Sequence, residues 1–332
     1  MLALNSALVS RVFDAAAAAK DNPCFPLHPD YCPCSAGCTT TACPRCEGPK
    51  VGAGTWHCRP THLCNASSSV DDAVAALPPT FLSATLRVTM LAFLAFRREH
   101  IRNVFKKKPH HWRKAYAREV NRIAYLADTA RAAGTRLPLH VVVAGDRNRT
   151  TEDWLARTRG VGFVEAAYVE PPRWASRFHK QSFNKISALG LTQFDKVIVL
   201  DNDVVLVKPL DALAAAEPPA AVFHTAVPRL DRCTVTTGLM VLAPSASEHA
   251  RALRLLYEGM NYSTELADGG DQEFWHSFLP TFNELPIRYH AHVRLALNAT
   301  EWWDVRMVHA IAQFAGRGWH IPKNITGRLR YF

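Results

Sequence analysis

No run of about 18 apolar residues occurs anywhere in the 332-residue chain, so no transmembrane helix is encoded. The longest apolar stretch, around Met90–Phe96, has the length of a core strand. No internal repeat is visible, which argues against a solenoid or propeller. Charged residues are only 20% of the chain against 48% hydrophobic, a globular balance that excludes wholesale disorder. Beyond Cys64 there is a single cysteine, Cys233. Acid is also scarce in one place. The chain carries 39 Lys or Arg and 29 Asp or Glu, a net charge of +10. Residues 97–118 alone hold nine basic residues and one Glu, so +8 of that excess sits in one segment. Such a run is either a solvated helical face or a dock for an anionic partner.

What is present is also clustered. Cys24, Cys32, Cys34, Cys38, Cys43, Cys46, Cys58 and Cys64 lie within 41 residues. One reading is a small module stapled by disulfides. The other is a zinc site on Cys43-x-x-Cys46 with His57 and His62. Five glycosylation acceptors (Asn65, Asn148, Asn261, Asn298 and Asn324) exceed what composition predicts and favour a secretory lumen, where disulfides form. The first twenty residues lack the basic start and long apolar run of a signal peptide, so no anchor or signal is visible.

The chain divides into an Ala-rich arm (1–22), the cysteine-rich module (23–66), a linker (67–80), a globular domain (81–322) and a tail (323–332). Within the domain, strands are expected at Thr85–Phe93, Leu139–Ala144, Val197–Leu200, Ala220–Phe223 and Gly238–Leu242. Helices are expected at Trp112–Ala133, Thr151–Arg157, Ala175–Leu189, Ser247–Glu258 and Asp271–Phe278, with Gly134 and Gly190 as C-terminal caps. Strands alternating with helices predict an α/β fold with a mainly parallel sheet.

One segment carries a chemical signal. Val197–Leu200 reads as a buried strand ending in Asp201-Asn202-Asp203. Ligands of open α/β sheets bind at the carboxyl ends of strands. In extended backbone, residues i and i+2 point to the same side, so two carboxylates there can hold a hard divalent cation such as Mn²⁺ or Mg²⁺. The plain alternative is a solvated turn.

Around this segment lie Lys185, TTGLMVLAPS (236–245), DGGDQEF (268–274), LPIRYH (285–290), VRMVHA (305–310) and GRGW (316–319). In this order the set resembles glycosyltransferase family 8, particularly its glycogenin-like and xylan-glucuronosyltransferase-like members, over about residues 84–320. The resemblance implies a GT-A fold, a UDP-sugar donor, Mn²⁺ (with Mg²⁺ as substitute) and transfer with retention to a glycan or glycoprotein. It implies Asp201, Asp203 and His309 as metal ligands, and Lys185, Asp271 and Gln272 as the catalytic set. Donor contacts would come from Thr89, Phe96, Lys185, Asp201, Asn202, Asp203, Thr236, Thr237, Gly238, Asp268, Gly270, Asp271, Gln272, Gly316 and Arg317. Phe96 would offer an aromatic face to the base. Thr236 stands where the family usually has Asn, and Arg317 where it has Lys.

No residue presents itself as a covalent nucleophile. Five sequons and the cysteine cluster suit a Golgi lumen better than cytosolic glycogenin. An anionic acceptor or a uronic-acid donor would suit the basic run. Two other classes stay open: an inactive UDP-sugar-binding member of the fold, and a zinc- and nucleic-acid-binding protein, which the glycan acceptors disfavour.

Overall fold

The computed structural model describes residues 57–60, 87–98, 111–176, 179–225, 233–260, 269–279, 281–292 and 304–309. The Ala-rich arm, most of the cysteine module, the linker, the tail, Asp268, Gly316 and Arg317 lie outside these residues.

The strands are β1 (His57–Pro60), β2 (Val88–Phe96), β3 (Leu139–Gly145), β4 (Gly162–Glu165), β5 (Lys196–Leu200), β6 (Val204–Leu206), β7 (Ala220–Thr225), β8 (Cys233–Leu242), β9 (Thr281–Leu285), β10 (Ala291–His292) and β11 (Met307–His309). The α-helices are α1 (His111–Ala132), α2 (Arg149–Arg159), α3 (Ala246–Arg254) and α4 (Asp271–Phe278). Eight strands form one sheet in the order β1-β9-β7-β8-β5-β2-β3-β4. Only β8 runs antiparallel to its neighbours, so the sheet is mainly parallel, as expected. A second small sheet, β10-β11-β6, lies at the end where β5 stops.

Strand β2 shows how the sheet is sandwiched. Its nine residues alternate between two cores. Met90, Ala92, Leu94 and Phe96 face the α1 side with Tyr116, Val120 and Ile123. Leu91 and Phe93 face the other side, with Phe183, Ile186, Phe274 and Trp275. A helix covering each face explains why the strand is apolar throughout. Each fully buried aliphatic side chain, Ile123 and Leu126 among them, contributes about 1.5–3 kcal/mol.

Several boundaries differ from the sequence reading. The first strand starts three residues later and runs to Phe96. Of the expected helix 175–189, residues 182–190 form a 3₁₀ helix instead. Three side chains explain the tighter turn: Ser182 Oγ donates to His179 O, Asn184 Nδ2 to Gln181 O and Ser187 Oγ to Asn184 O, each three residues back. Gly134 follows α1 at φ 78°, as a C-terminal cap should, whereas Gly190 does not enter the left-handed region. Asn148 caps α2 by accepting the Thr151 N–H, and Gly160 closes it at φ 68°. Four residues assigned to the cysteine module, His57–Pro60, pair with β9 at the edge of the main sheet.

Candidate active site

Strand β5 ends at Leu200, and the chain turns through Asp201-Asn202-Asp203 into β6. The two carboxylates therefore sit on a turn rather than on extended backbone. They converge all the same, because the turn is clamped. Asp201 N–H donates to Gly238 O at 3.1 Å. Asn202 pairs with the backbone of Phe93 as a neighbouring strand would: Oδ1 accepts the Phe93 N–H at 3.1 Å and Nδ2 donates to its carbonyl at 2.7 Å. Nδ2 also reaches Glu119 of α1 at 3.2 Å. Glu119 in turn accepts from Arg122, whose guanidinium stands 3.8 Å from Asp203. Asn202, expected to touch the donor, thus has its amide engaged by the scaffold.

The small sheet supplies the third member. β11 pairs antiparallel with β6, setting His309 against Val204 one residue after Asp203. His309 Nε2 lies 3.2 Å from Asp203 and 3.8 Å from Asp201. One ligand atom each from Asp201, Asp203 and His309 falls within 4.8 Å of the others, and their side chains keep 15–25% exposure. Two carboxylate oxygens and an imidazole nitrogen, open on one side, suit a divalent ion such as Mn²⁺. Burial disfavours the charged imidazole, but Asp203 and then Asp201 outweigh it and hold the His309 pKa above its ordinary value. Burial likewise disfavours the Asp203 carboxylate, yet His309 and Arg122 pull its pKa down to about 2.

Lys185, from the 3₁₀ helix, lies on the other side of Asp201. Its Nζ is 2.7 Å from Asp201, 3.3 Å from Asp271 and 3.0 Å from the Thr237 carbonyl. An ammonium has three protons, and four protein oxygens surround this one, the Thr237 hydroxyl at 3.3 Å being the fourth. Burial alone would drive off the proton, but Asp201 and Asp271 keep the pKa above the ordinary lysine value. Lys185 therefore braces the carboxylates from behind as a buried cation.

The Thr236-Thr237-Gly238 segment reaches this point because β8 bulges there. Against β7 the register jumps from Ala221–Met240 to Val222–Thr236. Thr237 accepts from Lys185 with both carbonyl and hydroxyl, and Thr236 Oγ1 meets His290 Nδ1 at 3.2 Å. A Cβ on Gly238 would lie 2.4 Å from His290 Nε2 and 3.1 Å from an Asp201 oxygen, so only glycine fits. Gly270 is the N-cap of α4, and buried Asp271 is its first residue, which carries Asp271 to Lys185. Gln272 follows, half-buried. Gly269, at φ 75°, turns the chain so that its carbonyl accepts the Ser176 N–H.

Two expected donor contacts are not brought here. Thr89 pairs with Val197, four residues before Asp201, or about 13 Å along the strand. It is fully buried, with its hydroxyl on His140 Nδ1 and Pro138 O. Phe96 is 2% exposed and packs on Tyr116 at 5.1 Å in the α1-side core, so its ring offers no face to a base. Conversely, the sequence reading passed over His290 and His292. Their rings lie 4.9 and 5.5 Å from that of His309. His290 closes the LPIRYH motif, and His292, two residues on, is the register partner of His309.

Residues 117–218 match the family model described as "Mannosyltransferase putative". The chain is 32% identical over 124 residues to "Putative glucuronosyltransferase PGSIP8" of Arabidopsis thaliana, covering 37% of this chain and 23% of that protein. The chain thus spans about a quarter of the length of this curated relative. Among solved structures, the glycosyltransferase GlyE of Streptococcus pneumoniae TIGR4 aligns over 73% of this chain and 60% of its own, with TM-score 0.47 and 12% identity. The galactosyltransferase LgtC, solved with donor and acceptor sugar analogues, aligns over 73% and 95%, with TM-score 0.42 and 14% identity. The chain's sequence likeness is thus to proteins named as mannosyl- and glucuronosyltransferases, over residues 117–218 and over 37% of its length respectively, and its fold is α/β with a mainly parallel sheet and an acidic turn at the end of β5.

Proposed function

We propose that the chain is a Mn²⁺-dependent retaining glycosyltransferase. It moves a hexosyl or uronosyl group from a UDP-sugar to a glycan or glycoprotein in the secretory pathway. The observation that carries this reading is the convergence of Asp201, Asp203 and His309 beside the buried Lys185. Four carboxylates (Asp201, Asp203, Asp271 and Glu119) face three permanent cations, Lys185, Arg122 and Arg118. One negative charge is left over, which a dication can take over.

Asp201, Asp203 and His309 would hold the ion, which supplies Lewis-acid charge to a departing diphosphate. The chain's own residues do the rest. Lys185 fixes Asp201 and Asp271 in one orientation, so no reorganisation is needed when charge develops. Asp271 and Gln272 stand at the start of α4, where they position the donor sugar. Asn202 and Glu119 keep the acidic turn locked to β2 and α1. The acceptor hydroxyl attacks on the leaving-group face and passes its proton to the departing diphosphate. The sequons and cysteine cluster support a luminal location, probed by N-glycan and disulfide mapping of the secreted protein.

UDP release from a panel of UDP-sugars, with Mn²⁺ and with chelator, tests the function. Turnover with one donor, lost on chelation and in Asp203→Ala, is expected. Metal-independent turnover sinks the metal role. UDP binding without any turnover would favour an inactive sugar-nucleotide-binding protein.

A further inference from the structure

A second concavity lies away from the acidic turn. A cleft of about 870 Å³ opens between the N-terminal half of α1 and the start of α2, behind the carboxyl ends of β2 and β3. That volume is in the range of saccharide-sized sites. Its walls carry Arg98, Trp112, Arg113, Tyr116, Arg147 and Trp154.

The aromatic rings form fixed platforms. Trp112 and Tyr116 meet edge to face at 6.3 Å, and the Tyr116 hydroxyl accepts the Asn148 N–H at 3.3 Å. Trp154, at the lip, keeps 39% exposure and is one of two large exposed hydrophobic side chains among the described residues. This partly exposed ring, with the Arg159 guanidinium over it at 5.5 Å, suits a ligand with both apolar and polar faces, as a pyranose has.

The charge decides the ligand further. Four guanidinium groups line the cleft, from Arg98, Arg113, Arg147 and Arg149. Three carboxylates pair with them: Asp146 with Arg98, Glu152 with Arg147 and Arg149, and Glu165 with Arg147 and Arg149. Arg113 has no carboxylate partner among the described residues and lies 5.9 Å from the centroid of the Trp112 ring, with Arg98 at 4.4 Å from it. Among the described residues, the cleft therefore holds one planar cation without a carboxylate partner, beside an aromatic ring. A guanidinium fork is matched by a carboxylate.

We propose that this cleft binds a carboxylate-bearing saccharide, a uronic-acid unit of a glycan. Its role as an acceptor subsite rests on the glycosyltransferase reading, and one helix joins the two places. Val120 and Asn121 line the cleft, while Glu119 and Arg122 reach the acidic turn. Arg113 and Arg122 are nine residues apart, or about 14 Å along the helix axis and on opposite sides of it, so an oligosaccharide running from cleft to acidic turn would have to pass around α1.

The experiment is calorimetric titration of the full chain with an oligogalacturonide and with the same oligosaccharide after reduction of its carboxyl groups. The expected result is binding of the acid form, with roughly tenfold loss on reduction and in Arg113→Ala. Trp154→Ala weakens both forms and Trp154→Phe restores part of the affinity. Equal affinity for acid and reduced forms overturns the proposal. So does unchanged affinity in both Arg113→Ala and Trp154→Ala, or an oligouridylate that binds as tightly as the uronide. UDP release, measured separately, keeps the two readings apart. Uronide binding without turnover on any UDP-sugar upholds the cleft and removes the transferase role. Turnover without uronide binding does the reverse.

Discussion

Replacing Lys185 by Met keeps the length of the side chain and removes its charge. Lys185 is 5% exposed and Asp271 4% exposed, so no solvent waits to take over. The substitution leaves the Asp271 carboxylate, and the inner oxygen of Asp201 at 2.7 Å, without their cation. Breaking a buried pair by removing one partner costs about 3–5 kcal/mol. At about 2–4 °C per kcal/mol this lowers Tm by roughly 6–20 °C. The double variant Lys185→Met/Asp271→Asn removes the orphaned charge with its partner. It should be less destabilised than the sum of the single variants, with coupling of about 1–3 kcal/mol. Thermal unfolding of the metal-free chain, followed by circular dichroism and repeated with Mn²⁺, measures both. Single-variant stability within about 1 kcal/mol of wild type, or strict additivity, would refute the account of Lys185 as the buried brace of two carboxylates.

Other outcomes follow from the same geometry. Gly238→Ala drives a methyl to 2.4 Å from the fully buried His290 ring, an overpacking cost of about 1–3 kcal/mol, and displaces Asp201, so UDP release falls along with Tm. Asn202→Ala strips the Phe93 N–H and C=O of their partner, for about 1–3 kcal/mol and a weaker Mn²⁺ affinity in titration. His276 gives an acid limb: burial pushes its pKa down to about 4. Above pH ~6.5 it is neutral in both folded and unfolded chains and has no effect. As pH falls from there to about 4, only the unfolded chain takes the proton, and stability drops by up to about 3 kcal/mol. His276→Gln should flatten that part of the denaturant-stability profile, and an unchanged slope would contradict the cause given.

Much of the fold was legible because its periods are strong. The apolar runs of β3 and β5 and the 22 residues of α1 appear within a residue or two of expectation. The small sheet was not legible. Val204–Leu206, Ala291–His292 and Met307–His309 are three residues or fewer, too short for a period to show, yet they place His309. Phe96 could have been excluded as a base platform. It shares parity with Met90, Ala92 and Leu94, so alternation sends it to the α1 core whatever lies beyond the strand end. Asn202 carries no such signal. Its role as a surrogate strand partner for Phe93 exists only once β2 and β5 lie side by side. The spacing of Asp201 and Asp203 suggests convergence through an extended geometry that the turn does not have; the carboxylates converge because Asn202 and Gly238 clamp the turn, and β11 brings His309 beside them.

The most direct test of the account is UDP binding by calorimetry to the wild-type chain and to Asp203→Ala, each with Mn²⁺ and with chelator. The account predicts UDP binding to the wild type in Mn²⁺, loss of at least tenfold in affinity on chelation, and the same loss in Asp203→Ala at any metal concentration. Equal UDP affinity in all four conditions would contradict the claim that Asp201, Asp203 and His309 form the metal-dependent donor site.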